Sequence, residues 1–317
     1  MLIRDAMRQG LRLGLRPVFS PRVPLLVQRG YIAFAAKAFP RAVGVRDIEH
    51  YLGGVLSRRL IPESAPSGMA VMYLHGGGYV LGSPATHAGL VSHLARAAGC
   101  ECFVVDYRLA PEHPAPAALD DAVDAWAALT RSHTAVVLAG DSAGGGLALA
   151  TAVAARDRGL PAPRALALIS PWVDLSLSGL SMTTHARRDP MLGRAWLAYA
   201  AQHYAGPALT DPKVSPLFAE LGGLPPTRVD VGSEEVLFSD AARLESRMRA
   251  AGVQVRRQVW DGLWHDFQLQ AGLLPEADRC IAELGGFLRE ALARQPAADG
   301  RTSPPEEPQA ASQEAAS

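Results

Sequence analysis

The feature that most limits the possible fold is a regular alternation between short apolar runs and longer segments with helical spacing. Apolar, β-branched runs predict six strands, at Val71–Leu74, Cys102–Val105, Val136–Ala139, Ala165–Ile169, Arg228–Val231 and Val253–Val259. Ala-, Leu- and Arg-rich segments predict helices over Thr86–Ala98, Ala117–Thr130, Gly145–Arg158, Asp240–Ala251 and Glu276–Leu292. Strands that alternate with helices predict an α/β fold, with a mostly parallel sheet covered on both faces.

Composition sets bounds on size, partners and cofactors. The chain has 317 residues, of which 49% are apolar and 20% charged, as in a soluble globular protein with a large core. Lys+Arg and Asp+Glu each number 31, so no basic excess points to nucleic acid. The three cysteines lack C-x-x-C spacing, which argues against a disulfide framework and against a zinc site. We therefore expect a cytoplasmic protein with reduced thiols and no metal.

The N-terminal stretch has the pattern of an amphipathic helix. Apolar side chains recur at Ile3, Met7, Leu11, Leu15 and Val18, opposite arginines spaced four residues apart at Arg4, Arg8, Arg12 and Arg16. The stretch lacks the continuous apolar region of a signal peptide. A basic amphipathic helix can lie on a membrane surface, but the pattern favours a helix that packs on its own protein.

The C-terminal stretch differs in composition from the rest of the chain. From about residue 295 to residue 317 it is rich in Pro, Ala, Ser and Glu and has almost no large apolar residues. Such a segment buries too little surface to offset the entropy lost on ordering. We expect a disordered tail there, after a single domain over residues 1–294.

A serine lies in a G-x-S-x-G motif, Gly140-Asp141-Ser142-Ala143-Gly144, directly after a predicted strand and directly before a predicted helix. The motif alone is weak evidence, but this strand–turn–helix context is what exposes a nucleophilic hydroxyl at a sharp corner. Glycines on either side let the backbones pass closely, and the N-terminus of the following helix favours developing negative charge. Ser142 is therefore the predicted nucleophile.

A glycine run follows another strand, in His75-Gly76-Gly77-Gly78-Tyr79. Acyl transfer creates an oxyanion that needs two or more backbone N–H donors aimed at one point, and glycine amides are unobstructed by side chains. We expect Gly76, Gly77 and Ala143 to be these donors. His75 belongs to this loop and is expected to order it.

Nine histidines compete for the role of general base, which a serine nucleophile requires. His265 follows the last predicted strand and comes after the serine in the chain, in the order Ser, acid, His of such hydrolases. The other seven candidates, in predicted helices or ordinary loops, are expected to be surface or structural side chains, at His50, His87, His93, His113, His133, His185 and His203. The acid should follow the preceding strand, where Glu234, Glu235 and Asp240 all qualify by type.

These motifs resemble the hormone-sensitive-lipase-like family of α/β-hydrolases, the bacterial family IV esterases, over roughly residues 71–285. Three further segments are similar to the family, Asp106–Pro114 (DYRLAPEHP), Ser170–Asp174 (SPWVD) and Asp211–Pro216 (DPKVSP). The family's acid lies in a G-x-x-D/E-x-L pattern, which falls on Gly232, Glu235 and Leu237 and selects Glu235. The family more often has Asp at this position.

The resemblance also implies an eight-stranded, mostly parallel sheet and a helical cap, built from about residues 1–45 and 176–208. Apolar side chains of the second cap segment can line an acyl pocket or can simply hold the cap to the core. The expected substrate-binding residues are Tyr79, Trp172, Met191 and Trp196. Related enzymes often dimerise, so a homodimer is one expectation.

The function expected from these features is hydrolysis of short-to-medium-chain carboxylic esters through an acyl-enzyme, with no metal or organic cofactor. Three alternatives stay open. The first is an amidase, lactonase or arylformamidase-like hydrolase on the same site, and the second is a true lipase at a lipid interface. The third is a non-catalytic ligand receptor, as plant gibberellin receptors are, but such receptors abandon the catalytic histidine and His265 argues against it.

Overall fold

The computed structural model of the protein describes residues 2–294, so the segment 295–317 that we expect to be disordered lies outside the described residues. An eight-stranded sheet forms its centre, with the order β1-β2-β4-β3-β5-β6-β7-β8. The strands are β1 Val45–Leu52, β2 Val55–Pro62, β3 Met69–Leu74, β4 Glu101–Val105, β5 Ala135–Asp141, β6 Leu166–Ile169, β7 Thr227–Gly232 and β8 Val255–Trp260. All neighbours pair in parallel from β4 to β8, which confirms the predicted mostly parallel sheet.

The first two strands of the sheet are not among the six that apolar runs predict. They form a hairpin in which Leu52 pairs with Val55 around a two-residue turn, and β2 pairs antiparallel with β4. Gly53 and Gly54 in this turn have φ values of 59° and 86°, as a tight hairpin turn requires. The sequence of β1, VRDIEHYL, mixes charged and apolar residues because this edge strand is largely exposed. A search for continuous apolar runs therefore misses it.

Helices cover both faces of the sheet within the described residues. They are α1 Leu2–Gly10, α2 Leu25–Ala35, α3 Pro84–Ala98, α4 Ala117–Ser132, α5 Ser142–Asp157, α6 Ser181–Thr184, α7 Arg194–Ala205, α8 Phe238–Ala250 and α9 Pro275–Ala293. Successive side chains of a strand point to opposite faces. Met72 of β3 accordingly packs in one core with Trp126 of α4, whereas Tyr73 packs in a second core with Leu284 of α9.

The two segments expected to form a cap meet each other over one end of the sheet. The N-terminal segment contains α1, a π-helical turn at Leu11–Leu15 and α2, and the second contains α6 and α7. Trp196 of α7 stacks on Phe19 with ring centroids 4.6 Å apart, and its indole N–H donates to Gln28 of α2 at 2.8 Å. Among residues 2–294, no helix has the length and apolar character needed to cross a bilayer.

Candidate active site

The serine of the G-x-S-x-G motif lies at a sharp corner between a strand and a helix. β5 ends at Asp141 and α5 begins at Ser142, whose φ of 52° lies in the left-handed region that side chains rarely adopt. A Cβ on Gly144 would lie 2.1 Å from the carbonyl oxygen of Leu74, so this close approach of α5 to β3 requires glycine. The corner holds the serine at the carboxyl end of the sheet, at the N-terminus of α5.

His265 follows the last strand, and its ring reaches the serine. Its Nε2 atom lies 2.9 Å from Oγ of Ser142, a contact between residues 123 positions apart in the sequence. Both side chains are buried, with 2% and 5% of their surface exposed. The hydroxyl can therefore donate its proton directly to the imidazole, with little bulk water between them.

A buried glutamate holds the other side of this imidazole. Oε2 of Glu235 lies 3.1 Å from Nδ1 of His265. Oε1 accepts hydrogen bonds from the hydroxyl of Ser170 at 2.6 Å and from the amide of Gly232 at 2.5 Å. Because both oxygens are engaged, the carboxylate has one orientation, which keeps a proton on Nδ1 and directs Nε2 toward Ser142.

The other two acidic candidates have different partners. Glu234 forms an ion pair with Arg188 at an N–O distance of 2.5 Å. Asp240 accepts hydrogen bonds from two backbone amides of the loop after β6, at 3.2 and 3.1 Å. Of the three acids that the strand-following position leaves open, Glu235 is the one in contact with His265.

In the glycine loop after β3, the backbone amides that could bind an oxyanion differ from those expected. The N–H of Gly76 donates to Oδ1 of Asp141 at 3.1 Å, so the prediction that Gly76 is an oxyanion donor is wrong. Within residues 2–294, the amides of Gly77 and Gly78 find no acceptor, and both residues line the cavity beside the serine. Ala143 is the second residue of α5, where an N–H has no intrahelical acceptor. The candidate donors are thus Gly77, Gly78 and Ala143.

A buried ion pair holds the glycine loop against the end of β5. Oδ2 of Asp141 lies 3.1 Å from Nε2 of His87 on α3, and Oδ1 also accepts from the hydroxyl of Tyr73 at 2.8 Å. Burial disfavours charge on both groups, but their mutual attraction outweighs it, so the pKa of Asp141 is lowered and the pKa of His87 is raised. His87, expected to be a surface or structural side chain, is buried and structural.

His75 orders the loop from the opposite side. Its ring stacks on that of Tyr107 at a centroid distance of 4.3 Å, and the Tyr107 hydroxyl donates to the carbonyl of His75 at 2.7 Å. Burial lowers the pKa of His75 to about 3, so the ring is neutral near pH 7. Tyr107 belongs to the DYRLAPE segment, whose position next to the glycine loop is explained by this contact.

A second buried carboxylate lies on the reacting side of the base. Oδ2 of Asp266 is 3.0 Å from Nε2 of His265, the same atom that contacts Ser142. Among the described residues, Oδ1 of Asp266 has no hydrogen-bond partner, although the side chain lines the cavity. Burial raises the pKa of Asp266 to about 7, against the attraction of His265.

The charge of His265 reflects both neighbouring carboxylates. Burial alone lowers the pKa of His265, but Asp266 and Glu235 outweigh it and raise this pKa well above its usual range. The imidazolium form, which appears when the serine loses its proton, is therefore strongly stabilised.

An apolar cavity of about 330 Å³ extends from the serine to the N-terminal helices. Its catalytic end is formed by Ser142, His265 and the glycine loop. Its other walls are mostly apolar and include Leu11, Leu15, Phe19, Ile32, Met191 and Trp196. Two of the four expected substrate-binding residues, Met191 and Trp196, thus line the cavity.

The other two expected substrate-binding residues pack inside the protein. Tyr79 stacks on Tyr204 with ring centroids 3.8 Å apart, and it is almost fully buried. Trp172 is also buried, and its indole N–H donates to the carbonyl of Asp174 at 3.1 Å. Neither is among the residues that line the cavity, so these two predictions are wrong.

Known proteins are similar to this chain in both sequence and fold. A family model described as alpha/beta hydrolase fold matches residues 71–269. A solved esterase from the bacterial hormone-sensitive lipase family has a TM-score of 0.88 and 38% identity, over 92% of this chain and 99% of its own. The chain belongs to this family. Among curated relatives of this hydrolase, an esterase of Acinetobacter venetianus is 35% identical over 90% of this chain and 93% of its own.

A shorter stretch of the hydrolase is similar to an acetyl-hydrolase of Streptomyces hygroscopicus. The two are 45% identical over 71% of this chain and 76% of the relative. The names of these relatives agree with the expected class of carboxylic ester hydrolases.

The structure places two further side chains at the cavity that the sequence motifs do not mark, Asp266 and His87. Asp266 follows the predicted base directly, and this adjacency is the available sequence signal. His87 lies on a helix 54 residues before Asp141, and nothing local in the sequence connects the two.

Proposed function

We propose that the protein is a serine carboxylesterase that hydrolyses short-to-medium-chain esters through a Ser142–His265–Glu235 triad. The observation that carries the proposal is the continuous chain of contacts from Ser142 Oγ through both ring nitrogens of His265 to Glu235, at one end of an apolar cavity. The cavity volume of about 330 Å³ lies at the lower end of the range for ligand sites, which favours small esters.

In the first step, Ser142 attacks the ester carbonyl carbon while His265 Nε2 takes the hydroxyl proton. The carbonyl oxygen becomes an oxyanion, to which the amides of Gly77, Gly78 and Ala143 donate hydrogen bonds. As the tetrahedral intermediate collapses, the bond to the alcohol oxygen breaks, and His265 gives its proton to the leaving alcohol. Ser142 is left acylated.

In the second step, a water molecule attacks the acyl-enzyme carbonyl while His265 accepts one of its protons. The second tetrahedral intermediate then breaks the bond to Ser142, and His265 returns the proton to the serine oxygen. Glu235 keeps a proton on Nδ1 throughout both steps, so all proton transfer passes through Nε2.

The test is a series of p-nitrophenyl esters of increasing acyl length, measured on the wild type and on single variants. Ser142→Ala and His265→Ala should lower kcat/KM by roughly 1000-fold or more, because each removes an atom of the proton-transfer chain. Glu235→Ala should also lower it strongly. Glu234→Ala is the matched control, because its carboxylate pairs with Arg188. Activity that survives Ser142→Ala would refute the acyl-enzyme mechanism.

A comparison of substrates on the wild type distinguishes an ester hydrolase from other acyl-transfer enzymes. We expect kcat/KM to be higher for an ester than for an amide or lactone with the same acyl group. A preference for the amide or the lactone would assign the site to an amidase or a lactonase.

A further inference from the structure

The outer face of α2 is apolar and faces solvent. Leu26 and Phe34 are 81% and 73% exposed, and Val27 and Tyr31 are exposed between them. With Gly30 and Ala33, these residues form one side of the helix, and the Tyr31 hydroxyl is their one polar side-chain group. The exposed side chains recur at helical spacing, as they do on helices that lie in a lipid interface. We call this side of α2 the outer face.

The inner side of the same helix forms part of the wall of the catalytic cavity. Ile32 and Ala35 line the cavity, and Tyr31 lines it while remaining partly exposed. Leu13, which is 75% exposed, extends the apolar surface from the neighbouring π-helical turn, where Gly14 lies against the Tyr31 hydroxyl. The cavity therefore reaches the surface next to the outer face.

The segment that carries the outer face is strongly basic, although the whole chain is neutral. Residues 6–46 contain no acidic residue and eight basic ones, Arg8, Arg12, Arg16, Arg22, Arg29, Lys37, Arg41 and Arg46. Three of these form ion pairs with carboxylates outside the segment, Arg8 with Glu234, Arg29 with Glu112 and Arg41 with Asp47. Among the described residues, the other five have no carboxylate within 4.0 Å. Exposed Arg22 and Lys37 flank α2 at its two ends.

We propose that the outer face docks on an anionic lipid surface and that the enzyme takes esters dissolved in that surface. The apolar side chains would enter the headgroup region, while Arg22 and Lys37 meet the lipid phosphates. An ester would then reach Ser142 along the cavity wall formed by α2. This inference rests on the proposed function and names its substrate class.

A second copy of the chain fits the outer face less well. A symmetric contact through α2 would bring two basic segments together, and like charges across an interface disfavour association. An anionic lipid surface suits both features, because its apolar interior accepts the outer face and its phosphates attract the basic flanks.

The test measures co-sedimentation of the full chain with vesicles of phosphatidylcholine, with and without phosphatidylglycerol. The wild type should bind the vesicles that contain phosphatidylglycerol and bind pure phosphatidylcholine more weakly. The double variant Leu26→Glu/Phe34→Glu should reduce binding by roughly tenfold or more, because it places charges on the inserted face. Its matched control is Leu180→Glu, which alters a side chain that is 74% exposed outside α2.

A second pair of variants tests the charge. Arg22→Gln/Lys37→Gln should weaken binding to the anionic vesicles by roughly 25-fold, at about fivefold for each basic side chain. Arg131→Gln/Arg289→Gln is the control, because both arginines are exposed on other helices. Equal binding by the two double variants would refute the role of the basic flanks.

Soluble p-nitrophenyl acetate separates this inference from the proposed function. Leu26→Glu/Phe34→Glu should hydrolyse it at the wild-type rate, because neither side chain lines the cavity. A wild type that hydrolyses this ester but does not bind anionic vesicles would overturn the docking proposal alone. Loss of a dimer in the double variant, seen by sedimentation velocity, would instead assign the outer face to a contact between copies.

Discussion

At the scale of single residues, Asp266 brings a second carboxylate to His265, the proposed base. Its Oδ2 atom and Oγ of Ser142 both lie within 3.0 Å of Nε2 of His265, which has one lone pair. A carboxylate can approach that atom closely only if a proton lies between them, on the acid or on the ring. The proton must leave before His265 can accept another one from the serine. Asp266 therefore holds the base in a protonated state at low pH.

Replacement of Asp266 should shift the pH dependence of the reaction. Asp266→Asn keeps the size of the side chain, and asparagine tolerates the φ of 50° at this position. The variant removes a carboxylate that raises the pKa of His265, so the acid limb of kcat/KM should move to lower pH. Glu235 and Asp189 remain near the ring and keep part of the effect.

The measurement is the pH profile of p-nitrophenyl acetate hydrolysis by the wild type and the variant. Asp261→Asn is the control, because this exposed aspartate lies in the same loop. An acid limb that stays in place in Asp266→Asn would show that the close contact with Nε2 does not set the ionisation of the base.

At the scale of elements, the site depends on how closely α5 packs against the end of β3. A Cβ on Gly144 would lie 2.1 Å from the carbonyl oxygen of Leu74 and 2.4 Å from that of His75. This packing brings the N-terminus of α5, with the amide of Ala143, next to the glycine loop that follows β3. Strand, loop and helix therefore pack closely together beside Ser142, where the proposed oxyanion would form.

A methyl group at this contact should separate the two elements. We expect Gly144→Ala to lower kcat by roughly 100-fold or more, or to prevent folding, because neither backbone carbonyl can move freely. Gly286→Ala on α9 is the matched control, since its Cβ would meet only the Arg289 guanidinium at 3.8 Å. It should keep full activity and add about 0.5–1 kcal/mol of stability. Wild-type kcat in Gly144→Ala would contradict the packing argument.

At the scale of the whole molecule, one buried carboxylate links two distant parts of the fold, and its ionisation lowers the stability of the native state. Asp240, in the first turn of α8, accepts hydrogen bonds from the amides of Val173 and Asp174 in the loop after β6. Burial and the charge of Asp174 raise its pKa to about 8, well above its value in an unfolded chain. The native state therefore holds this proton more tightly than the unfolded state does.

This difference predicts a specific pH dependence of stability. A native pKa above the unfolded one stabilises the fold fully below about pH 4, and the contribution declines as the pH rises toward 8. Asp240→Asn should remove the decline, so Tm should depend less on pH between 5 and 8 than in the wild type. Asp124→Asn, at an exposed position, is the control. An unchanged pH dependence of Tm in Asp240→Asn would contradict the prediction.

Short motifs are sufficient to predict the α/β-hydrolase fold, and they select Ser142 and His265, which the fold brings into contact. The reason is local, because a G-x-S-x-G corner and a glycine run encode backbone conformations that few other residues can adopt. Apolar runs do not predict the hairpin of β1 and β2, since this hairpin joins the sheet by pairing with β4.

The direction of individual groups depends on contacts between residues far apart in the chain. Asp141 accepts a hydrogen bond from the amide of Gly76 and pairs with His87, which lies 54 residues away. Among the described residues, the glycine-loop amides left without an acceptor are therefore those of Gly77 and Gly78. The Tyr79 side chain lies in the core, where its ring stacks on that of Tyr204. Sequence patterns specify which backbone shapes are allowed, whereas the side-chain partners arise when separate strands and helices pack together.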